Sequence, residues 1–160
     1  MNTSVPEAPE RVLTRVAALR DEAARLGVEG DVEAATDRIS EAFELVDAHP
    51  EVEAHVVFAS LLCQAAEVPL ALDDPESAAA LFRRAQTVAA TTGYDALEGK
   101  ALWGLSRCDQ LRGHQERAVE RAEGALRLMA ASTAPDADLA RAELQAYLES
   151  LKPRPWWRFW

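Results

Sequence analysis

ALWGLSRCDQLRGHQERAVERAEGALRLM, residues 101–129, decides the fold. Ala101, Leu102, Leu105, Cys108 and Leu111 recur at helical spacing, and Gly113 then interrupts the pattern. It resumes as Ala118, Val119, Ala122, Ala125, Leu126 and Met129. Apolar residues three and four apart on both sides of a single glycine predict two amphipathic helices joined by a tight turn. The unit is a helical hairpin.

The same spacing runs outward from this hairpin. Val12, Val16, Leu19, Ala23 and Leu26 mark a first helix, with Gly27 as its expected stop. Val32, Ala35, Ile39, Ala42, Phe43 and Val46 mark a second, capped by Asp31 and followed by Pro50. A third, expected from about Glu51, is apolar nearly all round through Val56–Cys63 and should be central. A fourth begins at Asp74-Pro75, carries Ala78, Leu81, Phe82, Ala85 and Val88, and stops at Gly93. Past the fifth and sixth (the opening hairpin, entered through Leu97), a turn around Pro135-Asp136 leads to a seventh. That helix carries Leu139, Leu144, Tyr147, Leu148 and Leu151 and is closed by Pro153 and Pro155. Short connections predict antiparallel neighbours.

A finer repeat lies inside the helices. Ala35 and Ala42, Ala78 and Ala85, and Ala118 and Ala125 are each seven residues apart. Ile39 and Phe82 stand between the first two pairs, and Ala122 between the third. The leading alanines are 43 and then 40 residues apart, a hairpin repeat of about forty residues. Small residues on one helix face let a neighbouring helix approach closely, which explains the pairing.

With these positions the chain resembles the tetratricopeptide-repeat superfamily, in its long-helix bacterial variety. Leu102, Leu105 and Ser106 stand at the large, Leu and small stations of a first helix, Gly113 at the turn, and Ala118 and Ala125 at the small stations of the second. Gly30, Asp31, Ala35, Ile39 and Ala42 match another copy, and Asp74 to Ala85 a third. The resemblance covers about residues 10–130. It implies an all-α fold of three hairpins stacked as a short right-handed superhelix, with a capping seventh helix: domain 1–151, followed by a tail, 152–160. It also implies a non-catalytic cytoplasmic module that binds a peptide or partner protein in a groove built from the first helices. The chain departs from the pattern in two places. Proline follows only the first copy, displaced to Pro50, and VPLALDDP, with Pro69, reads as an extended connection.

Composition agrees with helices: 160 residues hold 32 alanines against seven glycines and eight prolines. The formal charge of −10 argues against a general nucleic-acid binder. The longest stretch free of formal charge, Ala54 to Ala66, is too short to span a bilayer. The first ten residues have no apolar core of a secretory signal, and Cys63 and Cys108 are too few for a disulfide framework. Charge is uneven: residues 1–80 carry five bases and seventeen acids, residues 81–160 twelve and ten. Thirteen of the acids fall between Glu29 and Glu76, with only Arg38 among them in sequence. This run points to a basic or amphipathic ligand, or simply to a solubilised alanine-rich surface. The third helix has no base with which to grip a carboxylate terminus.

Catalytic, cofactor and metal residues are not assigned. GYDALEGKA, residues 93–101, has five residues between Gly93 and Gly99 where a phosphate loop needs four, and Ala101 replaces the magnesium-binding hydroxyl. His49, Glu51, Glu53 and His55 include metal-ligand types, and Glu51 and His55 would share a helix face, but a solvated helix start accounts for them. Cys63 and Cys108 read as small core residues. Arg117 and Arg121 lie one turn apart in a segment that could pass for a helix-turn-helix. Glu116, Glu120 and Glu123 interleave with them, as on an ordinary solvated face.

The tail is the strongest anomaly. Trp156, Trp157, Phe159 and Trp160 are four of the ten aromatics, set beside Arg154 and Arg158. Burying four such rings removes roughly 600–1,000 Å² from water, a gross gain of about 15–25 kcal/mol before ordering costs. The tail therefore calls for a receptor: its own domain, a partner or second copy, or a membrane interface, for which Trp and Arg are suited. Repulsion between the acidic body and anionic lipid counts against lasting attachment.

Overall fold

The structure, a computed structural model, describes residues 8–133 and 137–152, and all regular elements among them are helical. They are α1 (Pro9–Glu29), α2 (Val32–Ala48), a 3₁₀ turn (Pro50–Val52), α3 (Val56–Ala71), α4 (Pro75–Thr92), α5 (Asp95–Leu111), α6 (Gln115–Ala131) and α7 (Ala137–Leu151). The chain is all-α and built of helical hairpins, α1/α2, α3/α4 and α5/α6, with α7 against α6. α3 touches α1, α2, α4 and α5, the central place its apolar circumference requires. It buries Phe58, Leu61 and Leu62 completely, each contributing about 1.5–3 kcal/mol of apolar transfer.

The alanine stations are the stacking points. Ala42, Ala78, Ala85, Ala118 and Ala125 are fully buried and Ala35 nearly so. Ala23, Ala66 and Ser106, twelve residues before each leading alanine, are also sealed from solvent. The third of these makes the match visible as a bond, because Ser106 Oγ donates to the Ala118 carbonyl at 2.5 Å.

The hairpin turns share one backbone solution. At Gly30, Asp73 and Gly113 φ is positive (85°, 62° and 76°), and each residue's N–H returns to the carbonyl three residues back. The following N–H reaches five back, Asp31 to Leu26, Asp74 to Pro69 and His114 to Asp109. The last carbonyls of each first helix are thereby satisfied as the chain reverses. Asp73 is the one described non-glycine residue in this left-handed region.

Several local expectations are corrected. Gly27 lies within α1, which continues to Glu29, because the reversal needs the left-handed residue at Gly30. α3 starts at Val56 and not near Glu51: Pro50 opens the 3₁₀ turn that buries Val52, and the His55 ring then caps α3 by accepting from Val57 N–H at 3.2 Å. VPLALDDP is not an extended connection. Pro69 sits in the last turn of α3, where its missing N–H removes a single helical bond, and the connection is only residues 72–74. Leu111 and Leu139, placed on buried stripes, are 50% and 66% exposed and stand in the last turn of α5 and the first turn of α7. Val32, at the start of α2, is likewise exposed. Gly93 stops α4 as expected, Gly99 and Lys100 are part of α5, and no phosphate-binding loop exists there. Pro135, Asp136, Pro153 and Pro155 lie outside the described residues.

Candidate functional site

Two adjoining cavities cross the face formed by the first helices. One, of about 250 Å³, lies between α3 and α5 over a floor made by Phe82. Ser60, Cys63, Gln64 and Glu67 form its α3 wall, and Leu97, Lys100, Trp103, Gly104 and Arg107 its α5 wall. The other, of about 360 Å³, lies between α1 and α3 over Ala35 and Ile39 of α2. Its walls are the apolar Ala23, Ala24, Gly27, Val28, Val68 and Ala71. Gln64 and Glu67 line both, so the cavities meet along α3.

The floor of the first cavity exists because Phe82 lies flat against the backbone of α5. A Cβ placed on Gly104 would stand 2.3 Å from the Phe82 ring, far inside contact distance. Only glycine leaves room for the ring there.

Polar groups bridge the first helices. Arg20 of α1 donates to Ser60 of α3 at 3.1 Å, and Arg107 of α5 donates to both carboxylate oxygens of Glu67 at 2.9 and 3.0 Å. Both pairs are 40 residues apart, one repeat, because stacking sets equivalent stations side by side. The Glu67–Arg107 side chains are each about two-fifths exposed, so their pair is worth no more than about 1 kcal/mol and a ligand can rearrange it. Trp103 Nε1 is buried and has no hydrogen-bond partner among the described residues. An indole N–H can only donate, and leaving it unpaired away from water costs on the order of 1–3 kcal/mol. The ring itself packs against Tyr147 of α7, with centroids 6.2 Å apart and planes at 45°. Tyr147 Oη lies 3.3 Å from Ser106 Oγ, and burial pushes its hydroxyl above the usual tyrosine range.

Cys63 is half-buried in the cavity wall, and burial pushes its thiol up to about 12, with Glu67 adding to the rise and Lys100 opposing it. Cys108 is buried and raised chiefly by the same cause. Neither is an activated nucleophile. Glu51 and His55 do not share a helix face, because α3 begins only at Val56. His49 Nδ1 instead lies 3.2 Å from Glu51 Oε1. The Glu51 carboxyl is held low mainly by a backbone hydrogen bond. Among the described residues no three His, Cys, Asp or Glu side chains converge in a way that could hold a metal ion.

Two charge readings change with the fold. Arg117 and Arg121 are not a free solvated pair: their guanidinium groups hold Asp109, which is fully buried, at 2.7 and 2.6 Å. Both guanidinium groups are engaged by that carboxylate, with the Arg117 side chain about half exposed and Arg121 less so. Of the acid run, Glu67 alone lines the two cavities. Bases from the second half of the chain oppose several of the others, Arg84 at Glu53 and Arg112 at Glu76.

Sequence reasoning missed Trp103, Gln64, Glu67, Arg107 and Asp109. A signal existed for two of them: a Glu and an Arg one repeat apart on first helices become cross-helix neighbours. Nothing in the pattern pointed to the buried role of Asp109. The predicted tail residues Arg154, Trp156, Trp157, Arg158, Phe159 and Trp160 lie outside the described residues. No helix among the described residues is long and apolar enough to cross a membrane. No known protein family, curated protein or solved structure matches the chain.

Proposed function

We propose that this protein is a non-catalytic interaction module of tetratricopeptide-like, superhelical design that holds a segment of a partner protein across α1, α3 and α5. The supporting observation is the pair of cavities joined at Gln64 and Glu67, one apolar and one with Lys100 and Arg107 in its wall. That combination suits an amphipathic peptide: apolar side chains between α1 and α3, and acceptor groups toward α5. A purely basic ligand is disfavoured at this face, where Lys100 and Arg107 outnumber Glu67.

The test uses peptides selected from a random displayed library against the whole chain. Gln64→Trp, which obstructs both cavities from a half-exposed position, should weaken the selected peptides at least about tenfold, or 1.4 kcal/mol. Unchanged affinity in the folded variant would remove this reading.

A further inference from the structure

We propose that the chain's own C-terminal segment, residues 152–160, runs along the hairpin-turn edge of the same molecule, with Trp156 and Trp157 against that edge and Trp160 in the apolar cleft between α1 and α3. The inference rests on the docking reading above in one respect: tail and partner would share that cleft, so the tail acts as a built-in competitor.

Four observations converge. First, an exposed large apolar side chain stands at the end of each first helix: Val28 at 91%, Leu72 at 71% and Leu111 at 50%. Single exposed leucines are ordinary, but these three share one edge, one per hairpin, and the row ends at the cleft that Val28 lines. Second, the tail departs from this edge: Gln115, the first residue of α6 and adjacent to the Gly113 turn, holds the Leu151 carbonyl at the end of α7. Third, the reach is sufficient. Packed helices are 8–10 Å apart, so the path from α7 past α5 to the cleft beyond α3 is about 20–25 Å. Trp160, nine extended residues past Leu151, reaches about 30 Å and so the cleft, while Trp156 and Trp157, five and six residues along, reach about 17–20 Å and lie over the edge. Fourth, the charges match. Arg158, seven residues and about 23 Å past Leu151, would pass Asp73 and Asp74 at the second turn, whereas Lys152 stays at the end of α7, bonded to Glu149. The Trp160 indole is apolar enough for the alanine and valine walls.

The experiment reads the tail directly. In full-length Trp103→Phe protein the remaining tryptophans are Trp156, Trp157 and Trp160. Their acrylamide quenching should be several-fold weaker than in the free peptide KPRPWWRFW. It should rise to the peptide's level when Val28→Glu and Leu72→Glu, both at exposed positions, are added. Independently of Trp103, a chain carrying Val28→Cys and Trp160→Cys should form its disulfide within monomers under mild oxidation, and the selected peptides should bind the 1–151 chain more tightly than the full chain. Quenching equal to the free peptide would overturn the inference, as would protection that survives the two glutamates. So would disulfide-linked dimers in place of monomers, or protection that appears only with anionic phosphatidylglycerol vesicles. Peptide affinity that truncation leaves unchanged would overturn the competition while leaving the docking face standing.

Discussion

The α4/α5 and α6/α7 junctions solve one packing problem with the sizes exchanged. At the first, a large Phe82 on the second helix meets Gly104, where even a methyl group would collide with the ring. At the second, the corresponding residue is the small Ala122, and the residue corresponding to Gly104, one repeat later, is the large Leu144. Both are fully buried in the cluster that joins α6 and α7. Total volume across each joint is kept while its owner changes. The alanines flanking the joint set how closely the helices approach, and the residue between them is free to be large or small provided its partner complies. The α5/α6 hairpin adds what the α3/α4 hairpin lacks, a buried carboxylate clamped by two arginines.

The largest expected effects break the first joint. Phe82→Ala should destabilise by about 3–5 kcal/mol in urea titrations. Gly104→Ala should lose about 1–3 kcal/mol, and this loss should shrink sharply in a Phe82→Ala background, since the collision is with that ring. The size exchange is tested by transplanting the first solution into the second joint. Ala122→Phe alone should destabilise by about 1–3 kcal/mol, and adding Leu144→Gly should recover part of it. No recovery would show that the two joints are not equivalent.

Removing both Arg117 and Arg121 should be nearly as damaging as the loss of Phe82, about 3 kcal/mol, because Asp109 would remain buried without its cations. The same double change at a merely solvated face would be near neutral, so the experiment separates the two readings of these arginines.

Much of the fold was legible because its signals are periodic. Three alanine pairs about forty residues apart give the hairpins, and the glycines at 93 and 113 give two of the stops, while the first stop was placed three residues early, at Gly27. The second turn was misread because Asp73 takes the left-handed conformation usually marked by glycine, and because Pro69 looks like a break although it falls where the helix is ending. The site was less legible. Trp103 lies off the Leu102–Leu105 stripe, so one helix's periodicity gives it no role, and Glu67 finds Arg107 only once two helices are laid side by side.

Smaller effects sharpen the comparison at the turns. Asp31 and Asp74 cap α2 and α4 by accepting from Ala34 and Ser77 N–H at 3.0 and 3.1 Å, whereas His114 supplies no side-chain cap to α6. Asp31→Ala should cost about 1 kcal/mol and His114→Ala less. Hydrogen bonds from Ser77 hold the Asp74 carboxyl below its usual 3.8. Its contribution is therefore complete above that value and is lost as pH falls through the lower native one, so the melting difference between wild type and Asp74→Ala should vanish in strong acid. Asp73→Gly should be slightly stabilising, about 0.5 kcal/mol, with strain relief partly offset by a freer unfolded chain.

The docking face is tested most directly by photo-crosslinking a selected peptide to the whole chain. The photoreactive residue is placed at Lys100, in the cavity wall, or at Glu44, an exposed position on α2 outside both cavities. The account predicts a specific, saturable adduct at Lys100 and background at Glu44; equal adducts at both, or an adduct at Glu44 alone, would contradict it.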